Sequence, residues 1–325
     1  MHESAAVPTA FPGGRRFAFT IIDDTDEGTV ASVGPIYRLL AELGIRTTKT
    51  VWPVGCPEGS EMFGAAETLD DPDYLDFVRD LAARGFEIAY HGATMESSDR
   101  ARSLLALDRF TELFGGPPRV YANHSFNREN LYWGTDRLDN PVVKLLYRWS
   151  SEVTEGYFQG VAPGSPWWWG DRASQCLTYV RNLTFSGINL RKINPSMPYR
   201  DPARPLVPWW FSASEAEDVG EFNALMSVAN QDRLEREEGV CIVATHLGKG
   251  FAKSGRVHPI TRSLLERLAQ RPGWFAPVGE LLDWLRAHRS EETLPPAEWR
   301  TMQWRWARDL MTRRLRGRLR PRMAN

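Results

Sequence analysis

The stretch Phe17-Ala-Phe-Thr-Ile-Ile-Asp23-Asp24-Thr-Asp26-Glu27-Gly28 decides the fold. Its apolar and β-branched start runs without alternation straight into a cluster of carboxylates. An unbroken run of that kind belongs to a strand buried on both faces, as in a parallel sheet. Adjacent acids at a strand end repel each other, so their presence points to a metal, a proton-transfer role, or both. A solvated loop in which Asp and Thr cap the next helix accounts for the same residues. The stretch alone leaves the two readings open.

Working outward, residues 29–43 carry apolar positions at helical spacing (Val33, Ile36, Leu39, Leu40, Leu43) and stop at Gly44. Residues 46–52 read as a strand and 73–84 as a helix. Residues 86–90 read as a strand that ends at His91. A helix over 97–114 follows, then a strand over 119–122 that ends at Asn123-His124. Residues 126–212 form a long Trp-rich insert, read as strands separated by decorated loops, and 214–238 read as a helix. A strand over 240–245 ends at His246. A helix over 258–270, a strand over 274–277 and a helix over 278–288 close the pattern. Strands alternating with helices, with polar residues at successive strand ends, predict a parallel α/β fold whose site lies at the strand C-termini.

Composition narrows the class. The chain has 325 residues, 42% hydrophobic and 25% charged, with a formal net charge of -1, so no global field selects nucleic acid or membrane. Cys56, Cys176 and Cys241 are odd in number and widely spaced, which predicts reduced thiols and excludes a disulfide framework or a thiolate zinc site. Residues 1–14 read as a flexible, polar N-terminus without the apolar centre of a signal peptide, and the expected location is cytoplasmic. Residues 291–325 read as a basic amphipathic helical extension. It could make peripheral contact with an anionic membrane, although a solvated face explains it as well. The 13 Trp include Trp167-Trp168-Trp169 and Trp209-Trp210, which suit stacking on sugar rings or packing of loops onto the barrel rim.

Four strand ends carry Asp23/Asp24, His91, His124 and His246. One histidine after an apolar run is usually structural. Three at equivalent positions, beside a double Asp at a fourth, suit a divalent transition metal with positions left for water and substrate.

These residues resemble the polysaccharide deacetylase superfamily (carbohydrate esterase family four, chitooligosaccharide deacetylase-like). Ile22-Asp23-Asp24-Thr25 is similar to that family's first strand end, and Gly85-Phe86-Glu87-Ile88-Ala89-Tyr90-His91 to its histidine strand. Ile242-Val243-Ala244-Thr245-His246 and the closing Gly273-to-Leu285 segment are similar to its later motifs. The resemblance implies a distorted, incompletely closed (β/α) barrel of about seven strands over residues 15–290. It also implies zinc-dependent removal of an N-acetyl group from an amino sugar, in surface-polysaccharide or glycoconjugate biosynthesis, with a substrate that could be lipid-linked or nucleotide-linked and no nucleic-acid partner. Asp23 would be the general base, His246 the general acid, and Asp24 and His91 metal ligands. The family's second histidine is replaced by Met95, and His124 is the best candidate for the relocated ligand this implies; Asp26 stays open between a ligand role and capping the first helix. Trp168, Trp209, Asn123 and Lys249 are the candidate substrate-binding residues. A catalytically silent sugar-binding protein of the same fold, or a metal hydrolase of another bond type, is the alternative.

Overall fold

The structure is a computed structural model that describes residues 10–60, 62, 66–150, 155–289 and 291–319. In chain order it contains β1 (Phe17–Asp23), α1 (Val30–Glu42), β2 (Thr48–Val51), α2 (Pro72–Ala83), β3 (Glu87–Tyr90), α3 (Arg100–Phe114) and β4 (Val120–Ala122). The insert contributes α4 (Pro141–Ser150), α5 (Gly170–Cys176), β5 (Tyr179–Phe185), α6 (Leu190–Ile193) and β6 (Trp209–Glu215). Then come α7 (Val219–Leu225), α8 (Val228–Arg236), β7 (Val240–Thr245), a small hairpin of β8 (Ala252–Lys253) and β9 (Arg256–Val257), α9 (Pro259–Ala269), β10 (Gly273–Trp274), α10 (Val278–Ala287) and α11 (Pro296–Leu319).

Strands β1 to β7 lie side by side in chain order, all parallel, and β10 pairs with the start of β1 at Phe17↔Gly273 and Ala18↔Trp274. The (β/α) barrel of about seven strands is therefore present. The expected incomplete closure is corrected, because β1 pairs with β7 from Ala18↔Val240 to Asp23↔Thr245 and completes the ring. The buried β1 is thus paired along both edges, with β2 on one side and β7 on the other.

The period-2 alternation of each strand sorts its side chains. Phe17, Phe19 and Ile21 pack outward with Val33, Ile36 and Leu40 of α1. Ala18 and Ile22 face the barrel interior with Ala89, Val120, Ala122, Phe211, Ala213, Ile242 and Ala244. Continued past the strand ends, this inner row leads to Asp24, His91, His124 and His246. The outer row of β1 leads to Asp23.

Helix α1 begins where Thr29 accepts from Ser32 N and the Ser32 hydroxyl accepts from Thr29 N, a reciprocal cap. The helix expected over 214–238 is instead the end of β6 followed by α7 and α8. Residues up to Glu215 pair with β5 and β7, and Asp218 caps a new helix by accepting from Glu221 N. At the N-terminus, the expected flexible segment holds a buried anchor, Phe11, 4.8 Å in ring centroids from Trp284. Residues 1–9 and 320–325 of the two predicted terminal segments lie outside the described residues. The basic extension forms α11, whose Met302, Trp306 and Ala307 are buried in the same cluster as Trp169, Trp210 and Tyr199. It is thus packed onto the barrel, with Arg300 and Arg308 exposed.

Candidate functional site

At the C-terminal mouth, Asp26 sits in the turn that follows β1. Gly28 N donates to Thr25 O at 2.8 Å, and Glu27 takes a left-handed backbone (φ 56°). The loop after β7 presses on this turn so closely that a Cβ at Gly248 would lie 2.5 Å from Glu27 O. Only glycine permits that approach. The turn is thereby held against the mouth with the Asp26 carboxylate directed at three imidazoles. His91 Nε2 lies 3.3 Å from Oδ1, and His124 Nε2 and His246 Nε2 each lie 3.4 Å from Oδ2.

Each imidazole is oriented through its other nitrogen. His91 Nδ1 is 2.9 Å from Ala122 O, and His246 Nδ1 is 2.8 Å from Glu217 O. His124 Nδ1 is 3.0 Å from Asn127 Oδ1. The Asn127 amide nitrogen is spent on Thr94 O, Glu96 O and the Glu129 carboxylate, which fixes its oxygen as the acceptor. A carbonyl oxygen requires an N–H, so each neutral ring carries its proton on Nδ1 and presents a bare Nε2 to Asp26.

Three lone pairs facing a carboxylate call for a positive charge. Protons on Nε2 are one way to supply it. Burial works against the charged form of His246, but its hydrogen bond to Asp26 outweighs this and raises its pKa to about 9. His124 is raised for the same opposed reasons. Burial likewise opposes ionisation of Asp26, and hydrogen bonding to His124 and His246 together with the charge of His91 overrides it, so its carboxyl lies well below the ordinary range. A divalent cation is the other way. Among the described residues no group of three or more His, Cys, Asp or Glu side chains forms a ready-made metal cage. The donor chemistry nevertheless fits one, because His91 Nε2 and Asp26 Oδ1 are both buried without a hydrogen-bond partner. Histidine nitrogens and one carboxylate oxygen are the ligands that zinc and its neighbours take.

Beneath this cluster lies a second charged layer. Arg181, on the inner row of β5, binds Asp24 through two parallel hydrogen bonds, Nη1 to Oδ1 at 2.8 Å and Nη2 to Oδ2 at 2.6 Å. Burial would raise the Asp24 pKa, but Arg181 and then His91 bring it below the usual carboxylate value. Just past Arg181 the register between β5 and β6 shifts, a local irregularity that re-aims the strand. Trp52, fully buried at the end of β2, packs against His91 and His124 at centroid distances of 4.7 and 5.2 Å.

The structure brings Asp24, Asp26, His91, His124 and His246 together. Asp23 goes elsewhere. Its carboxylate accepts from Tyr37 Oη at 2.8 Å, Lys49 Nζ at 3.0 Å and Leu247 N at 2.8 Å, all on the helix side of β1. This is what alternation requires of a residue in register with Phe19 and Ile21. Trp209 opens β6 and so lies at the opposite end of the barrel, with Arg286 over its ring at 5.3 Å. Asn123 is buried and clasps the following loop, its amide bonded to both Leu131 N and Leu131 O. Trp168 is half-buried, with its carbonyl accepting from Arg100. Lys249 is partly exposed on the loop after His246, 3.5 Å from Glu217 Oε1. Arg181 and Trp52 are site residues that the sequence reading missed. An arginine in an otherwise apolar strand run was the available signal for the first. Trp52 carried none, since a strand-end Trp is commonly core.

No protein-family model matches the chain, and no curated protein matches it. Solved structures do. A protein described as a polysaccharide deacetylase from Mycobacterium smegmatis is similar with a TM-score of 0.51 at 16% identity, covering 90% of this chain and 98% of that one. The chain shares the fold of that protein. Another similar structure is described as a polysaccharide deacetylase from Pseudomonas aeruginosa PAO1, with a TM-score of 0.48, 14% identity and coverage of 86% and 95%. The allantoinase PuuE is similar with a TM-score of 0.47, 15% identity and coverage of 85% and 92%.

Proposed function

We propose that this deacetylase-fold chain is a metal-dependent hydrolase that removes an N-acetyl group from an amino sugar. The observation that carries the reading is the convergence of three Nδ1-anchored imidazoles on the Asp26 carboxylate at the barrel mouth. The fold it shares with the Mycobacterium smegmatis protein supports a carbohydrate substrate.

Asp26, His91 and His124 would hold the cation. When bound, a divalent cation polarises an amide carbonyl and acidifies water. Asp24 replaces Asp23 as the group that accepts the water proton, since Arg181 keeps it ionised on the inner face. His246 supplies a proton to the departing amine nitrogen, and the carbonyl of Glu217 keeps its ring aimed through Nδ1. Lys249 stands at the rim, where its ammonium can meet a polar or anionic part of the substrate.

Metal analysis coupled to acetate release from a panel of N-acetyl sugars tests the proposal. Stoichiometric zinc, cobalt, nickel or iron is expected in the wild type, lost in His124→Ala and kept in His246→Ala and Asp24→Asn, with acetate release abolished in all three. Metal without acetate release in the wild type would favour a sugar-binding protein. No metal in protein purified without chelators would sink the ligand set.

A further inference from the structure

Among the buried charged groups that the mechanism does not use is an ion pair beside the site. Lys49 and Asp23 form an ion pair with both side chains completely shielded from solvent. Its position is informative. Asp23 Oδ1 accepts from Leu247 N at 2.8 Å, one residue after His246. Asp23 Oδ2 accepts from Lys49 Nζ, which also donates to Thr25 Oγ1 at 3.2 Å, one residue before Asp26. The same threonine is fixed by Thr50, whose hydroxyl accepts from Thr25 N at 3.1 Å and donates to Asp23 O at 2.9 Å. Tyr74 Oη reaches Thr25 Oγ1 from α2 at 2.9 Å.

We infer that Asp23, Lys49 and Thr25 are positioning residues that lock the Asp26 turn and the His246 strand end at a fixed separation. This inference rests on the metal-site reading above and explains why an ion pair is kept where packed apolar residues would be as stable. A buried pair accepts few geometries, because any displacement leaves a charge without its partner. The 3.4 Å approach of His246 to Asp26 is therefore set from behind the barrel wall, by residues that never meet a ligand. Thr25 opens the turn and is the point at which Lys49, Thr50 and Tyr74 all reach it.

The test is Co(II) titration followed by visible absorption, with thermal melts of the same samples. Thr25→Val keeps the shape and removes the hydroxyl, whereas Thr25→Ser keeps the hydroxyl. Thr25→Val is expected to melt as a folded protein, weaken Co(II) binding by about 10–100-fold, the range for residues that orient ligands, and change the ligand-field spectrum. Thr25→Ser is expected to restore both. The paired change Asp23→Asn with Lys49→Met removes the charges together and is expected to have the same effect; it carries the test if Thr25→Val does not fold. Wild-type affinity and spectrum in the folded variant would overturn the inference. If the wild type binds no Co(II), the metal-site reading itself fails, and the positioning role falls with it.

Discussion

Arg181 and Asp24 are 157 positions apart in the chain and meet inside the barrel as a fork-to-fork pair, with both carboxylate oxygens engaged at 2.6–2.8 Å. The side chains of Arg181 and Asp24 are only 7% and 9% exposed, so neither charge can turn to water if the other is removed. Arg181→Met should destabilise the protein by about 3–5 kcal/mol, measured by urea unfolding. Adding Asp24→Asn should recover most of that loss, because a neutral pair leaves no stranded charge. A single variant as stable as the wild type would show that Asp24 finds another partner.

The metal-free protein should lose stability as pH rises from about 6.5 to about 9. His246 has a folded pKa of about 9, above its ordinary value of 6.5. In that window the folded state holds a proton that the unfolded chain has released, so the contribution is complete below about 6.5 and gone above about 9. The effect is at most about 3.4 kcal/mol. Thermal melts across pH in the presence of a chelator should show the decline in the wild type and a flatter profile in His246→Gln. Equal profiles would remove His246 from the charge network around Asp26.

Asn127 decides which nitrogen of His124 carries the proton. Asn127→Leu removes the acceptor and frees the ring to turn or change tautomer. Zinc affinity should fall about 10–100-fold, as read by competition with a chromophoric chelator. Unchanged affinity would mean that His124 is not a ligand or is oriented by something else.

Stability and site can be separated at α11. Trp306 is 2% exposed and stacks over the Arg137 guanidinium at 4.8 Å. Trp306→Ala should cost about 3–5 kcal/mol of stability while metal affinity at 25 °C stays at the wild-type level. A loss of metal binding in the folded variant would tie α11 to the mouth.

Much of this was legible in the sequence. The strands β1, β3, β4 and β7 announce themselves as apolar runs, and three of them end at the histidines that converge. The direction of Asp23 is legible too. Counting by twos from Phe17 places it with Phe19 and Ile21 against α1, and places Asp24 with Ala18 and Ile22 inside. The direction of Asp26 is not legible, because it depends on a turn held by Gly248 from a loop more than two hundred residues away. Arg181 was hidden for a similar reason. Its partner is distant in sequence, and only closure of the ring between β1 and β7 gives β5 and β1 a common interior. Trp209 looked like a sugar platform because sequence shows that a Trp lies near a strand, not which end of the barrel that strand end occupies.

Complete enclosure of Lys49 also gives the molecule an internal clock. Its amine is covered by Asp23, Thr25 and the rings of Tyr37 and Tyr74. The chain's other lysines, Lys144, Lys192, Lys249 and Lys253, all keep some contact with solvent. An acylating reagent will mark those four at once and reach Lys49 only when the wall between β1 and β2 comes apart. The rate at which position 49 becomes labelled therefore measures how often this part of the barrel wall opens.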